Sequence, residues 1–177
     1  KRQPFGRPVE PWHDPVDGVA HLDSIFETLK RFIAAKPEVL RAAALWTSFT
    51  WFIEDVRVAP LAIITSPEKR CGKTLLRTLM SRLCRDPLLA SNISPSALFR
   101  SIEKWKPTLI LDETDTFLKE NEDLRGLINS GHTQNTAFVI RCSGDNHEPT
   151  QFNTFGAKLL AGIGNLSETM MDRAVVL

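Results

Sequence analysis

Leu61-Ala62-Ile63-Ile64-Thr65-Ser66-Pro67-Glu68-Lys69-Arg70-Cys71-Gly72-Lys73-Thr74 is the stretch that decides the fold. Its apolar opening, Leu61 to Ile64, has the continuous character of a buried parallel strand. Leu75 to Leu83, just beyond it, is rich in helix formers. A strand, a loop ending Gly-Lys-Thr and then a helix is the context in which a phosphate-binding loop works. Backbone N–H groups of the loop and the helix N-terminus then face an anion together. On this reading Pro67, Glu68, Lys69, Arg70, Cys71, Gly72, Lys73 and Thr74 form the nucleotide-binding loop. Lys73 reaches the β- and γ-phosphates of ATP, and the Thr74 hydroxyl binds Mg²⁺. Gly72 lets the backbone approach with no Cβ in the way. The full pattern is G-x-x-x-x-G-K-[ST], and here Pro67 stands at its first position. Proline fixes φ at about −65° and offers no N–H, so the loop entry must differ from the glycine form.

A second motif lies downstream. Pro107-Thr108-Leu109-Ile110-Leu111 is another buried-strand run, and it ends in Asp112-Glu113. This is a Walker B pattern, with Asp112 holding the Mg²⁺ shell and Glu113 orienting and polarising the attacking water. A bare Gly-Lys-Thr recurs by chance, and an acidic pair after a strand can be an ordinary loop. Both motifs in this chain order, each after an apolar strand, point to a P-loop NTPase.

The 177 residues suffice for one domain with a substantial core, and 42% hydrophobic with 24% charged content is that of a globular chain. A net charge of +1 provides no global basic field, so any nucleic-acid contact must come from a local patch. Cys71, Cys84 and Cys142 form no C-x-x-C pair, and an odd count without a framework points to a reducing cytoplasm. No signal-peptide pattern and no bilayer-length apolar run is present, so no membrane partner is expected. Cys142, His147 and His132 lack metal-ligand spacing, and zinc is not expected. The chain opens on Lys1 rather than Met and stops after an apolar run at Leu177, which reads as a piece of a larger protein.

Residues 1–18, with four prolines, read as an extended linker or arm. Residues 19–57 read as a pair of helices that packs on the core. Val19 to Ala35 carries Leu22, Ile25, Phe26, Leu29, Phe32 and Ile33 at helical spacing, and Pro37 opens a second helix that runs through Phe52. Its Trp46 and Trp51 suit a buried face or a base-stacking platform. Residues 58–177 read as the ATPase core. Strands are predicted at Leu61–Thr65, Pro87–Ser91, Thr108–Leu111, Ala157–Ile163 and Ala174–Leu177, and helices at Lys73–Cys84, Pro95–Trp105 and Glu120–Asn129. Ser94-Pro95 supplies the cap of the middle helix. Thr136–Cys142 reads as an extra short strand in an inserted hairpin. The alternation predicts an α/β fold of three αβα layers around a mainly parallel five-stranded sheet.

Further candidates follow the predicted strands. Asn165 fits the position called sensor 1, a polar residue after the strand next to Walker B that contacts the γ-phosphate. It also reads as a turn asparagine after Gly164, and Thr154 or Ser167 could take the sensor position. Arg173 reads as an arginine finger entering a neighbour's site, or as a local ion pair with Asp172 or Glu168. His132, in Asn129-Ser130-Gly131-His132, could read the γ-phosphate, touch DNA or simply be solvated. Lys104 and Lys106 flank Trp105 and suit a nucleic-acid backbone or a solvated helix end.

Ser66-Pro67-Glu68-Lys69-Arg70-Cys71-Gly72-Lys73-Thr74, Leu89 to Arg100, Leu111 to Leu118, Asn129-Ser130-Gly131-His132 and Asp172-Arg173 together resemble a bacterial and phage domain family of uncharacterised function. Its members occur in DNA primase–helicase proteins of phages, plasmids and integrated elements, and the family resembles AAA+ ATPases. Pro67 at the loop entry is normal for it. The resemblance runs from Trp12 onward. It implies an AAA+-like αβα sandwich, a homo-oligomeric ring, usually a hexamer, with single-stranded DNA in the channel, and a primase or replication partner. It makes Arg173 a trans-acting residue and Thr136–Cys142 a hairpin near the pore. AAA+ proteins usually carry a helical lid after the last core strand, where this chain stops. The expected function is an ATP-driven DNA motor. The alternative is an ATP-dependent assembly switch with slow hydrolysis.

Overall fold

A computed structural model describes residues 9–66, 72–114, 118, 121–143, 146–163 and 166–177. In chain order its elements are α1 (Gly18–Phe32), α2 (Pro37–Phe49), a 3-10 turn (Thr50–Phe52), β1 (Leu61–Ser66), α3 (Lys73–Leu83), β2 (Pro87–Ala90), α4 (Pro95–Trp105) and β3 (Thr108–Leu111). Then follow α5 (Glu122–Ser130), a second 3-10 turn (Gln134–Thr136), β4 (Phe138–Ser143), β5 (Glu148–Asn153), β6 (Lys158–Ile163), the single turn α6 (Glu168–Met171) and β7 (Ala174–Val176).

Five strands form one parallel sheet in the order β2-β3-β6-β1-β7. Strand periodicity sends alternate residues to opposite faces. Ala62 and Ile64 of β1, Ile110 of β3 and Leu159 and Ala161 of β6 join Ile25, Leu29, Leu40, Trp46, Leu76 and Met80 in one core. Leu61, Ile63, Leu109, Leu111 and Leu160 join Leu98, Phe99, Ile102, Leu127, Ile128 and Met170 in the other. Helices α1, α2 and α3 therefore cover one face, and α4, α5 and α6 the other. The chain is an α/β protein with a helical layer on each side of a five-stranded parallel sheet.

Local chemistry sets the element ends. Asp17 caps α1 by accepting from the Val19 and Ala20 N–H groups. That helix stops at Phe32 rather than Ala35, where Ile33 turns extended while its N–H still donates to Leu29 O. Thr47 and Ser48 bond back to the carbonyls of Ala43 and Ala44, and α2 then tightens into its 3-10 turn, which carries Trp51. Ser94 caps α4 by accepting from Ala97 N–H, and Lys106 closes it in the left-handed region. Asn121 caps α5, so that helix opens at Glu122 instead of Glu120.

The predicted hairpin is a separate antiparallel sheet of β4 and β5. It begins at Phe138 instead of Thr136, which lies in the 3-10 turn. Phe152 meets Phe99 of α4 with ring centroids 4.6 Å apart, and the Asn153 N–H donates to Glu103 at 2.5 Å. The Trp46 indole N–H donates to Pro60 O at 2.9 Å and that of Trp51 to Leu83 O at 2.8 Å, which fastens α2 and its 3-10 turn to β1 and α3.

Lys158 opens β6 and is fully buried. Its ammonium donates to the carbonyls of Thr154 at 2.9 Å, Gly156 at 3.0 Å and Gly131 at 3.3 Å. Burial pushes it from 10.5 down to about 7, against carbonyls that favour the charged form. Below the folded value both states hold the proton, and the fold carries the full penalty. Above it the unfolded chain binds more protons, so stability rises with pH. Cys84 acts oppositely above its ordinary 9.0, because burial raises its thiol to about 12. We therefore expect the urea midpoint to rise from pH 7 to 9, and this rise to vanish in Lys158→Met. An equal slope in both proteins would remove Lys158 as its source.

Candidate functional site

In open parallel sheets ligands sit beyond the carboxyl ends of the strands. That edge here holds the ends of β1, β3 and β6, with β6 in the middle. Gly72 stands just before α3 with φ at 81°, in the left-handed region that a side chain reaches only at a cost. Its carbonyl accepts from Leu76 N–H at 3.0 Å. Among the described residues, a Cβ on Gly72 would meet nothing within 4 Å. The demand for glycine is therefore conformational. Lys73, half-buried, and Thr74, exposed, form the first turn of α3.

Asp112 ends the run of β3, and its N–H donates to Ala90 O at 3.1 Å. Its carboxylate pairs with Arg77, one turn along α3 from Lys73. Residues three and four apart share a helix face, so Lys73 and Thr74 lie on the side of α3 from which Arg77 reaches the carboxylate. The two sequence motifs, 38 positions apart at Thr74 and Asp112, are thus brought together. Glu113 is exposed and takes φ of 53°, a sparsely populated conformation for a non-glycine residue. It is fixed on both sides. Its N–H donates to Asp112 Oδ1 at 3.1 Å, and the fully buried Thr114 hydroxyl donates to Ala161 O of β6 at 3.1 Å. Outliers of this kind cluster at functional sites.

Pro67, Glu68, Lys69, Arg70 and Cys71 of the expected loop lie outside the described residues, as does Asn165. The described part suits Mg²⁺ with a polyphosphate. It offers an exposed hydroxyl, a carboxylate and a helix start, all hard oxygen or N–H groups. Among the described residues no group of three or more His, Cys, Asp or Glu could hold a metal. Mg²⁺ would therefore draw its other ligands from phosphate and water, as it commonly does.

Arg173 lies elsewhere. It precedes β7, whose Ala174 pairs with Leu61, at the amino edge of the sheet. Across the six residues of β1, at about 3.3 Å each, the two edges are about 16 Å apart. Arg173 donates to Asn129 O at 2.9 Å and has no ion pair with Asp172 or Glu168 among the described residues. Asn129-Ser130-Gly131-His132 packs at this same edge. Ser130 Oγ lies 3.0 Å from Thr154 Oγ1, and the His132 carbonyl accepts from Ala59 N–H at 2.8 Å. Partial burial first, then the charges of Arg173 and Lys158, hold the His132 imidazole below its ordinary value. A Cβ on Gly131 would fall 2.1 Å from Thr154 O and 2.2 Å from Lys158 Nζ.

Two side chains of the carboxyl edge carried no motif: Arg77 and Thr114. The i, i+4 spacing of Lys73 and Arg77 was the available signal for the first. Thr114 had none. Among the described residues no helix is long and apolar enough to cross a membrane.

No family model matches the sequence, and no curated protein matches it.

The two glycines should respond differently to a methyl group. Gly72→Ala is expected to cost about 1–2 kcal/mol, the penalty of the left-handed backbone. Gly131→Ala must displace a backbone carbonyl, and about 3 kcal/mol or more is expected. Urea unfolding of both variants measures this. Similar losses would show that Gly131 has room.

Proposed function

We propose that this chain is an ATP-binding and ATP-hydrolysing module of the P-loop class with an AAA+-like arrangement, and that it drives a DNA helicase or primase–helicase of a phage or other mobile element. The observation that carries the reading is the ion pair of Arg77 with Asp112, which sets the helix that opens at Gly72-Lys73-Thr74 against the acidic end of β3 at the carboxyl edge of a parallel sheet. The place of β6 supports it, since its carboxyl end at Ile163 lies between the ends of β1 and β3.

Lys73 neutralises charge on the β- and γ-phosphates, while Thr74 and Asp112 hold Mg²⁺. When bound, Mg²⁺ offsets the negative charge that develops on the transferring group. Glu113 orients a water in line with the γ-phosphate and takes up its proton. Asn165 contacts the γ-phosphate. Arg173 is about 16 Å from its own chain's site, so a part in catalysis requires a second copy. A ring, with a hexamer as the expected size, is the assembly proposed for it. Single-stranded DNA and a primase or other replication factor are the proposed partners. One observation favours the assembly-switch reading, namely the net charge of +1, since a surface that tracks a strand is locally basic.

The test is Mg²⁺-ATP turnover with and without single-stranded DNA, with Lys73→Ala as the blank. DNA-stimulated turnover is expected. Turnover indifferent to DNA would favour the switch. Glu113→Gln should bind nucleotide like the parent and turn it over about 10²–10⁴ times more slowly. Undiminished turnover would remove Glu113 from the role of base.

A further inference from the structure

Asp112 has a donor on each carboxylate oxygen. Oδ1 accepts from Glu113 N–H at 3.1 Å, and Oδ2 is taken by Arg77 Nη1. Arg77 is the more enclosed partner, with 15% of its side chain exposed against 37% for Asp112. Its Nε is buried and has no hydrogen-bond partner among the described residues. A guanidinium grips a carboxylate best through two parallel N–H bonds, so this one holds Asp112 with part of its capacity unused. Each oxygen keeps a second lone pair, but a metal ion arriving there meets the guanidinium charge already at Oδ2, and two cations on one carboxylate repel. The Glu113 N–H is fixed next door in the backbone. The guanidinium stands at the end of a flexible side chain, so it is the donor that can yield.

We propose that Arg77 is a positioning residue that occupies Asp112 in place of the metal, and that Mg²⁺ arriving with nucleotide displaces it. The inference rests on the phosphate-site reading above. Two cations then compete for one carboxylate. Before metal arrives, the pair ties α3 to the end of β3 and keeps Asp112 aimed at the first turn of the helix. Once metal is present, the same pair raises the concentration of Mg²⁺ needed to tighten nucleotide binding.

The test titrates a fluorescent ATP analogue against the full chain over a series of Mg²⁺ concentrations, read by anisotropy. The thermal midpoint without metal is measured alongside. Arg77→Met should lower the Mg²⁺ concentration for half-maximal tightening about two- to fivefold, the span of a partly exposed ion pair. It should also lower the metal-free thermal midpoint. Arg77→Lys, with a single-point grip, should fall between Arg77→Met and the parent, and it carries the test if Arg77→Met does not fold. On an Asp112→Asn background the Arg77 substitution should leave the Mg²⁺ requirement unchanged. Analogue bound by both Arg77 variants with an unchanged or higher Mg²⁺ requirement would overturn this proposal alone. A parent chain that binds no analogue with or without Mg²⁺ would overturn the phosphate-site reading and this proposal with it.

Discussion

Leu61 and Ile63 face one helical layer while Ala62 and Ile64 face the other, and all four are buried. A parallel sheet requires such cover, because each crossover back to the amino edge passes over one face. The requirement organises the molecule. It explains why α1 and α2 lie beside α3, where Leu29, Leu40 and Trp46 complete the cover over Ile64 and Leu159. It also sends the turns that leave β1, β3 and β6 to the carboxyl edge.

The two edges use polarity differently. At the amino edge polar groups are turned inward and mostly bonded, although the buried Asn129 Oδ1 has no partner among the described residues. Lys158 spends its donors on three carbonyls, and Ser130 and Thr154 bond each other. At the carboxyl edge Glu113 is exposed and strained, held between two fixed neighbours. The backbone there has been committed to aiming a carboxylate outward, at a cost of about 1–3 kcal/mol that surrounding contacts must offset.

Much of the fold was legible because its signals are local. The strands of the large sheet read as unbroken apolar runs, and α4 carries both of its ends in Ser94-Pro95 and Lys106. The hairpin was half legible. Phe138 to Ser143 has β-forming residues, whereas Glu148-Pro149-Thr150-Gln151-Phe152-Asn153 holds one large apolar side chain and shows strand character only in its pairing. In the site, Lys73, Thr74, Asp112 and Glu113 were legible from motif spacing. Arg77 was not, since an arginine inside an amphipathic helix looks like its solvent face until a partner 35 positions away is placed against it. Lys158 was hidden in the same way, inside an apolar run whose first residue could equally have faced water. Asn129-Ser130-Gly131-His132 stood out in the sequence as a functional candidate. Its glycine answers to packing, since a side chain there would overlap Thr154 and Lys158.

The rims of the large sheet bear on how this chain can meet other chains. At one rim β2 has four residues and opens with a proline, which cannot donate to a ladder. A strand this short presents too little free backbone to template a further strand, a common defence against edge-to-edge growth. Copies of this chain that come together across the β2 rim will therefore do so through side chains, with geometry set by shape and charge rather than by a shared ladder. Contacts of that kind can slide or loosen without breaking the fold of either partner.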